Sequence, residues 1–256
     1  MSRSLRVGSL PYLNSEPFFA CLDGVEQVAL APRALGALML RGELDAGLLS
    51  LADALALGDA VDLLPFGIAT PGATGSVHVW SHRPLAELHG AAIGVTAETS
   101  TSVRILRLLL ERRYGVTDAR FTALDGAADA ILVIGDEALR RRGAPSRFAC
   151  RTDLGSEWVA WTGLPAVFAS WVVRHAVPAE ARAALTAAID GALGRGLATL
   201  GAIAARRRDT GITEAETVAY LGNFIYRFGP DEARAIAEFR RLTAPWGRAD
   251  AAGGEA

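Results

Sequence analysis

The sequence predicts an α/β protein built as two lobes, and three observations carry that prediction. Short apolar runs recur from Leu5 to Ile134, each ending in small or polar residues that open a helical segment. The C-terminal third instead repeats its apolar residues at helical spacing. Two strand-like segments, 76–81 and 167–174, bracket the middle units and are placed to cross between lobes. The expected division puts 1–81 and 172–256 in one lobe and 82–171 in the other.

Leu5-Arg6-Val7-Gly8-Ser9-Leu10 reads as the first strand; it stops at Pro11 and leads into Asn14-Ser15-Glu16-Pro17. Asp45-Ala46-Gly47-Leu48-Leu49 is a second strand, ending at Ser50 before a short helix. Ala91-Ala92-Ile93-Gly94-Val95 runs into Thr96-Ala97-Glu98-Thr99-Ser100-Thr101-Ser102, and a helix is expected over 103–113. Ala130-Ile131-Leu132-Val133-Ile134 ends at Gly135-Asp136, with a helix over 137–142. Strands alternating with helices imply a mostly parallel sheet, whose ligands sit at the carboxyl ends of strands where helix N-termini offer free N–H groups. Further on, Leu185, Ile189, Leu193, Leu197, Leu200 and Ile203 form a helical stripe opened by Pro178. Two more helices are expected over 213–221, ended by Gly222, and over 230–242, opened by Pro230-Asp231-Glu232. The tail 251–256 is expected to be disordered.

Composition removes several chemistries. All 26 basic residues are arginine, so no lysine is present for a Schiff base, a pyridoxal phosphate site or a Walker-A loop. A formal net charge of −2 gives no basic field for nucleic acid. Two cysteines, Cys21 and Cys150, form no multi-cysteine zinc motif. His78 and His82 lie along a strand and are too far apart to share a metal. No metal and no cofactor is therefore expected. The stretch 63–82 carries no formal charge, but Pro65, Gly67, Pro71, Gly72 and Gly75 break it as a membrane helix. With no apolar region after Met1-Ser2-Arg3-Ser4 to mark a secretory signal, a cytoplasmic protein is expected.

Several segments, in order along nearly the whole chain, resemble the menaquinone-biosynthesis family. They are Val7 to Pro17; Gly42-Glu43-Leu44-Asp45-Ala46-Gly47-Leu48-Leu49; Gly72-Ala73-Thr74-Gly75-Ser76-Val77; Thr99 to Ser102; and Leu132 to Leu139. The most specific is Asp153-Leu154-Gly155-Ser156-Glu157-Trp158 with its continuation Thr162 to Trp171, and the pattern closes over Tyr220 to Phe239. The chain departs from the family after Leu49, where a single Ser50 stands for the usual Pro-Ser pair. The resemblance implies a type II periplasmic-binding-protein fold, two α/β lobes with a ligand cleft between them. It also implies an activity of this family, the loss of water from chorismate to give 3-[(1-carboxyvinyl)oxy]benzoate in the futalosine route.

That reaction needs donors for two carboxylates, help for a departing hydroxyl and some base. Asn14, at the end of the first strand, reads either as a helix cap or as an amide on the substrate; the resemblance favours the second. Thr99, Ser100, Thr101 and Ser102 open a helix, where capping and carboxylate binding are compatible. Ser50 and Ser76 are strand-end hydroxyls, each also explicable as a turn residue. Gly135 and Asp136 close the fourth junction; Asp136 reads as a cap for its helix and, being negative, as a poor carboxylate binder, but as a substrate-site residue it could still position a water or a hydroxyl. His82, His89 and His175 read as surface residues and His78 as half buried. The arginine runs 140–142 and 206–208 read as solvent-facing helix ends, and Trp158, Trp161 and Trp171 as core or cleft wall. No residue stands out as a base, and the candidates are a protein group or the enolpyruvyl carboxylate of the substrate itself.

Chorismate is thus the expected small-molecule partner, with no nucleic acid and no membrane insertion, and with the oligomeric state open to a homodimer. The rival within the family is 1,4-dihydroxy-6-naphthoate synthase, whose fourth junction typically reads Ile-His-Glu where this chain has Ile134-Gly135-Asp136. A non-catalytic solute-binding protein is expected to carry a signal peptide, and a regulator a helix-turn-helix before the first strand.

Overall fold

The computed structural model describes residues 4–96, 99–124 and 128–246. Ala97, Glu98 and the tail 251–256 lie outside the described residues. Eleven strands are described: β1 (Arg6–Ser9), β2 (Glu26–Ala29), β3 (Ala46–Ser50), β4 (Val61–Thr70), β5 (Val77–Ser81), β6 (Ala92–Val95), β7 (Arg120–Ala123), β8 (Ala130–Ile134), β9 (Cys150–Asp153), β10 (Ala166–Arg174) and β11 (Ile225–Arg227). The α-helices are α1 (Glu16–Phe19), α2 (Pro32–Arg41), α3 (Leu51–Ala56), α4 (Thr101–Leu108), α5 (Gly135–Arg141), α6 (Leu154–Thr162), α7 (Ala179–Ala198), α8 (Leu200–Arg206), α9 (Glu214–Gly222) and α10 (Pro230–Thr243). A wide π turn over Leu109–Arg113 extends α4.

The strands form two sheets, β11-β4-β10-β3-β1-β2 and β7-β6-β8-β5-β9. In the first, β1 runs parallel to β2 and β3, while β10 is antiparallel to β3 and β4. In the second, β6 is parallel to β7 and β8, while β5 is antiparallel to β8 and β9. The sheets are therefore mixed rather than mostly parallel, because β5 and β10 enter from the opposite lobe and run against their neighbours. β5 lies wholly in the second sheet and β10 wholly in the first. The sheets change hands at 71–76 and 154–165, a few residues before the divisions drawn at 81 and 171.

Each sheet is buried on apolar side chains. The first core gathers Leu48, Leu49, Trp171 and the stripe Leu185, Ile189, Leu193 and Ile203. That stripe spans two helices, broken at Thr199. The second core gathers Ile93, Leu106, Leu132 and Trp158, and also takes Ala235 and Phe239 of α10, so the C-terminal segment serves both cores. Gly222 is the last residue of α9, and Asn223 rather than the glycine caps it. Among the described residues no helix is long and apolar enough to cross a membrane.

The Asp153 to Trp158 segment builds the joint between lobes. Asp153 caps α6 by accepting from the Gly155 and Ser156 amides at 2.9 and 3.1 Å. The same carboxylate accepts from the Thr74 amide, the Thr74 hydroxyl and the Gly75 amide, at 2.8 to 3.0 Å. The crossing turn is thereby tied to the start of α6. Gly155 is required there, since a Cβ would stand 2.5 Å from the Gly72 carbonyl oxygen.

Candidate functional site

A cavity opens between the two sheets. Its polar lining comes from Asn14, Ser50, Ser76, Ser100, Thr101 and Ser102, with Gly135 beside them. Leu10, Tyr12, Pro32, Ile68, Val77, Ile134, Phe168, Ala169 and Phe224 complete the wall. The ends of β1, β3 and β8 and the start of α4 thus meet the crossing turn at one place. No charged side chain lines the cavity among the described residues.

Asn14 stands in a 3₁₀ turn, Leu13–Ser15. Ser15 Oγ secures that turn by donating to the Leu10 and Tyr12 carbonyls at 2.6 and 2.7 Å. Asn14 caps neither the turn nor α1, whose capping positions are Tyr12 and Ser15. Its Oδ1 is buried without a partner. A buried acceptor left unmade is costly, which is reason to look for a ligand that supplies the donor.

The serines and threonine differ in what stands behind them. A hydroxyl has one proton and two lone pairs. Ser50 donates to Asp53 Oδ2 at 2.7 Å and, as the cap of α3, accepts from the Asp53 amide at 3.2 Å. Ser100 donates to Asp53 Oδ1 at 2.8 Å. Both protons are therefore committed to one carboxylate, and toward the cavity these hydroxyls can only accept. Ser76 is the reverse: the buried Tyr220 phenol, the stronger acid of the pair, donates to Ser76 Oγ at 2.8 Å. The Ser76 proton is left for the cavity. Thr101 Oγ1 accepts from the Ala52 amide at 3.0 Å and also keeps its proton. Burial pushes Tyr220 above the usual phenol range, so it remains a protonated donor at neutral pH.

Gly135 has φ of 62°, the left-handed region, and a Cβ there would meet the Tyr12 ring at 2.8 Å. The fourth junction consequently presents backbone, not a side chain, to the cavity. Two of the sequence-predicted residues stand outside the wall. Thr99 pairs with Thr96, Oγ1 to Oγ1, at 2.9 Å. Asp136 does not cap its own helix, which starts after Ile134 without a side-chain cap. It accepts instead from the Leu13 amide at 2.9 Å and pairs with Arg207.

Sequence reasoning missed Asp53, Tyr220 and Arg207. Ser50-Leu51-Ala52-Asp53 does carry the spacing of a capping box, a signal that pointed to Asp53. The run 206–208 reads as solvent-facing, yet the Arg207 side chain is 18% exposed and pairs with Glu16, Asp136 and Asp209. His78 is fully buried rather than half buried. Burial lowers it to about 4 against the pull of Asp153, with Arg151 and Arg142 adding to the drop. It is neutral at pH 7 but sits outside the cavity wall. His82, His89 and His175 are exposed. Among the described residues no group of three or more His, Cys, Asp or Glu side chains has metal-binding geometry.

The family described as menaquinone biosynthesis matches residues 5–245. The chorismate dehydratase of Thermus thermophilus is 32% identical over 251 residues, covering 89% of this chain and 91% of its own. The crystal structure of a protein from Archaeoglobus fulgidus superposes with a TM-score of 0.79 at 15% identity, over 95% of this chain and 98% of its own. An alkanesulfonate-binding protein from Xanthomonas axonopodis pv. citri, bound to MOPS, gives 0.64 at 15% identity over 99% and 95%. These likenesses identify the architecture as the periplasmic-binding-protein fold.

Proposed function

The chain belongs to the menaquinone-biosynthesis family, and we propose that it is a hydro-lyase converting chorismate to 3-[(1-carboxyvinyl)oxy]benzoate and water. Beyond family membership, one observation carries this reading: the Tyr12 ring fills the space beside Gly135 that a side chain would need. The histidine of the sister synthase has no room at that junction, whereas a dehydratase that draws its base from the substrate needs none.

Chorismate carries two carboxylates, a hydroxyl at C4 and a ring one double bond short of aromatic. Its dehydration breaks C3–H and C4–O. The C–H electron pair becomes the new ring double bond, and hydroxide departs and takes up the proton as water. Aromaticity drives the step, with no electrons exchanged with a redox partner. The free protons of Ser76 and Thr101, with the Ser102 hydroxyl and the first amides of α4, suit the carboxylates. The departing substrate hydroxyl needs a donor on its oxygen. Asn14 is that donor, its NH₂ group adding no charge to a site that holds a dianion. With no acid or histidine lining the cavity among the described residues, the enolpyruvyl carboxylate of the substrate takes the C3 proton.

The test is to mix purified protein with chorismate in the presence of a chelator and weigh the product. A product lighter than chorismate by one water, formed at an undiminished rate, is the expected result. Chorismate recovered unchanged, or turnover that depends on added metal or nicotinamide, would contradict it.

A further inference from the structure

Asp136 stands one residue beyond the fourth junction, is 7% exposed and sends its carboxylate across to the other lobe. It belongs to α5, which follows β8 of the second sheet. Its Oδ1 accepts from the amide of Leu13, which opens the turn carrying Asn14, at 2.9 Å. Tyr12, at the capping position of that turn, supplies no side-chain cap, so the cap comes from the opposite lobe. Its Oδ2 pairs with Arg207, and the same guanidinium reaches Glu16 Oε1 at 2.6 Å. Glu16 is the residue directly after the turn. One arginine therefore joins the carboxylate that holds the start of the turn to the carboxylate at its end.

We propose that Asp136 is a positioning residue for Asn14: its carboxylate, reaching across from the opposite lobe, fixes the turn that carries Asn14. This rests on Asn14 contacting the substrate. The turn otherwise relies on Ser15 within its own lobe. A reacting group displaced by about 1 Å loses up to about a hundredfold in rate, which sets the scale of the effect. Asp136 contributes through geometry alone, since its carboxylate faces the Leu13 amide and Arg207 and not the cavity.

The test compares Asp136→Ala with Asp136→Asn, reading kcat, KM and melting temperature with chorismate. Asparagine keeps an oxygen for the Leu13 amide but loses the charge that pairs with Arg207. Asp136→Ala is expected to lower kcat by about tenfold or more while KM stays within about threefold, as for a misplaced transition-state contact. Asp136→Asn is expected to recover kcat to within about threefold of the native protein, even with a lower melting temperature. Asp136→Asn as slow as Asp136→Ala would overturn the proposal, because the ion pair and not the cap would then matter. So would an Asp136→Ala protein of native kcat. Should Asp136→Ala fail to fold, Asp136→Asn decides alone by the same limit. Native protein that forms no dehydrated product sinks the functional reading itself; loss of turnover in Asn14→Asp with none in Asp136→Ala sinks only this inference.

Discussion

Ser50 and Ser76 are the same residue type, both buried and both on the wall of one cavity, yet they present opposite polarity to a ligand. Behind Ser50 and its neighbour Ser100 stands the Asp53 carboxylate, which takes both their protons. Behind Ser76 stands the Tyr220 phenol, which gives it one. The first arrangement is scaffold: it caps α3 and joins α3 to the head of α4 across the cleft. The second leaves a proton to offer. Residue identity on a cavity wall does not settle what the wall binds; the group one layer deeper does, by deciding which end of each hydroxyl dipole faces inward.

The largest expected effect is at Asn14, the cavity amide with nothing behind its Oδ1 at all. Asn14→Asp keeps the size but removes the donor and adds charge. Turnover of chorismate should fall by about a hundredfold, the usual loss for one preorganised donor. Because Asn14 caps no helix, its melting temperature should move by less than about 4 °C. Equal turnover at saturating chorismate would return Asn14 to the scaffold.

Tyr220→Phe probes the other side of the comparison. Removing the phenol leaves Ser76 in place but frees its proton to turn away from the cavity. KM should rise by about fivefold, in line with the loss of about 1 kcal/mol of hydrogen bonding. An unchanged KM would mean that Ser76 does not donate to the ligand. Smallest of the three is Ser50→Ala, which should cost about 1 kcal/mol of stability through the lost cap and change kcat/KM by no more than about threefold. Denaturant unfolding alongside steady-state kinetics separates the two. A Ser50→Ala protein that is stable but inactive would invert the assignment.

Much of the frame was legible because local patterns act locally. Apolar runs stopped by Pro11, Ser50 and Gly135 marked the strand ends that meet at the cavity, and their polar neighbours mostly line it. The mixed sheet direction was not legible, since β5 and β10 read as strands in either sense and only their entry from the opposite lobe reverses them. Partners far apart in the chain were hidden for the same reason. Asp136 looks like a cap for the helix that follows it, and only the fold brings the Leu13 amide to it. Three adjacent arginines at 206–208 give no sign that the middle one turns inward. Gly135 was visible as a departure from Ile-His-Glu, but the reason, the Tyr12 ring, comes from a residue of the opposite lobe.

The claim that hydroxyl polarity sorts the cavity is tested most directly by a crystal structure of the protein with the dehydrated product, 3-[(1-carboxyvinyl)oxy]benzoate. Carboxylate oxygens are expected at hydrogen-bond distance from Ser76, Thr101 or Ser102, and none on the hydroxyls of Ser50 or Ser100. A product carboxylate seated on Ser50 or Ser100, or a product bound outside this cavity, would contradict it.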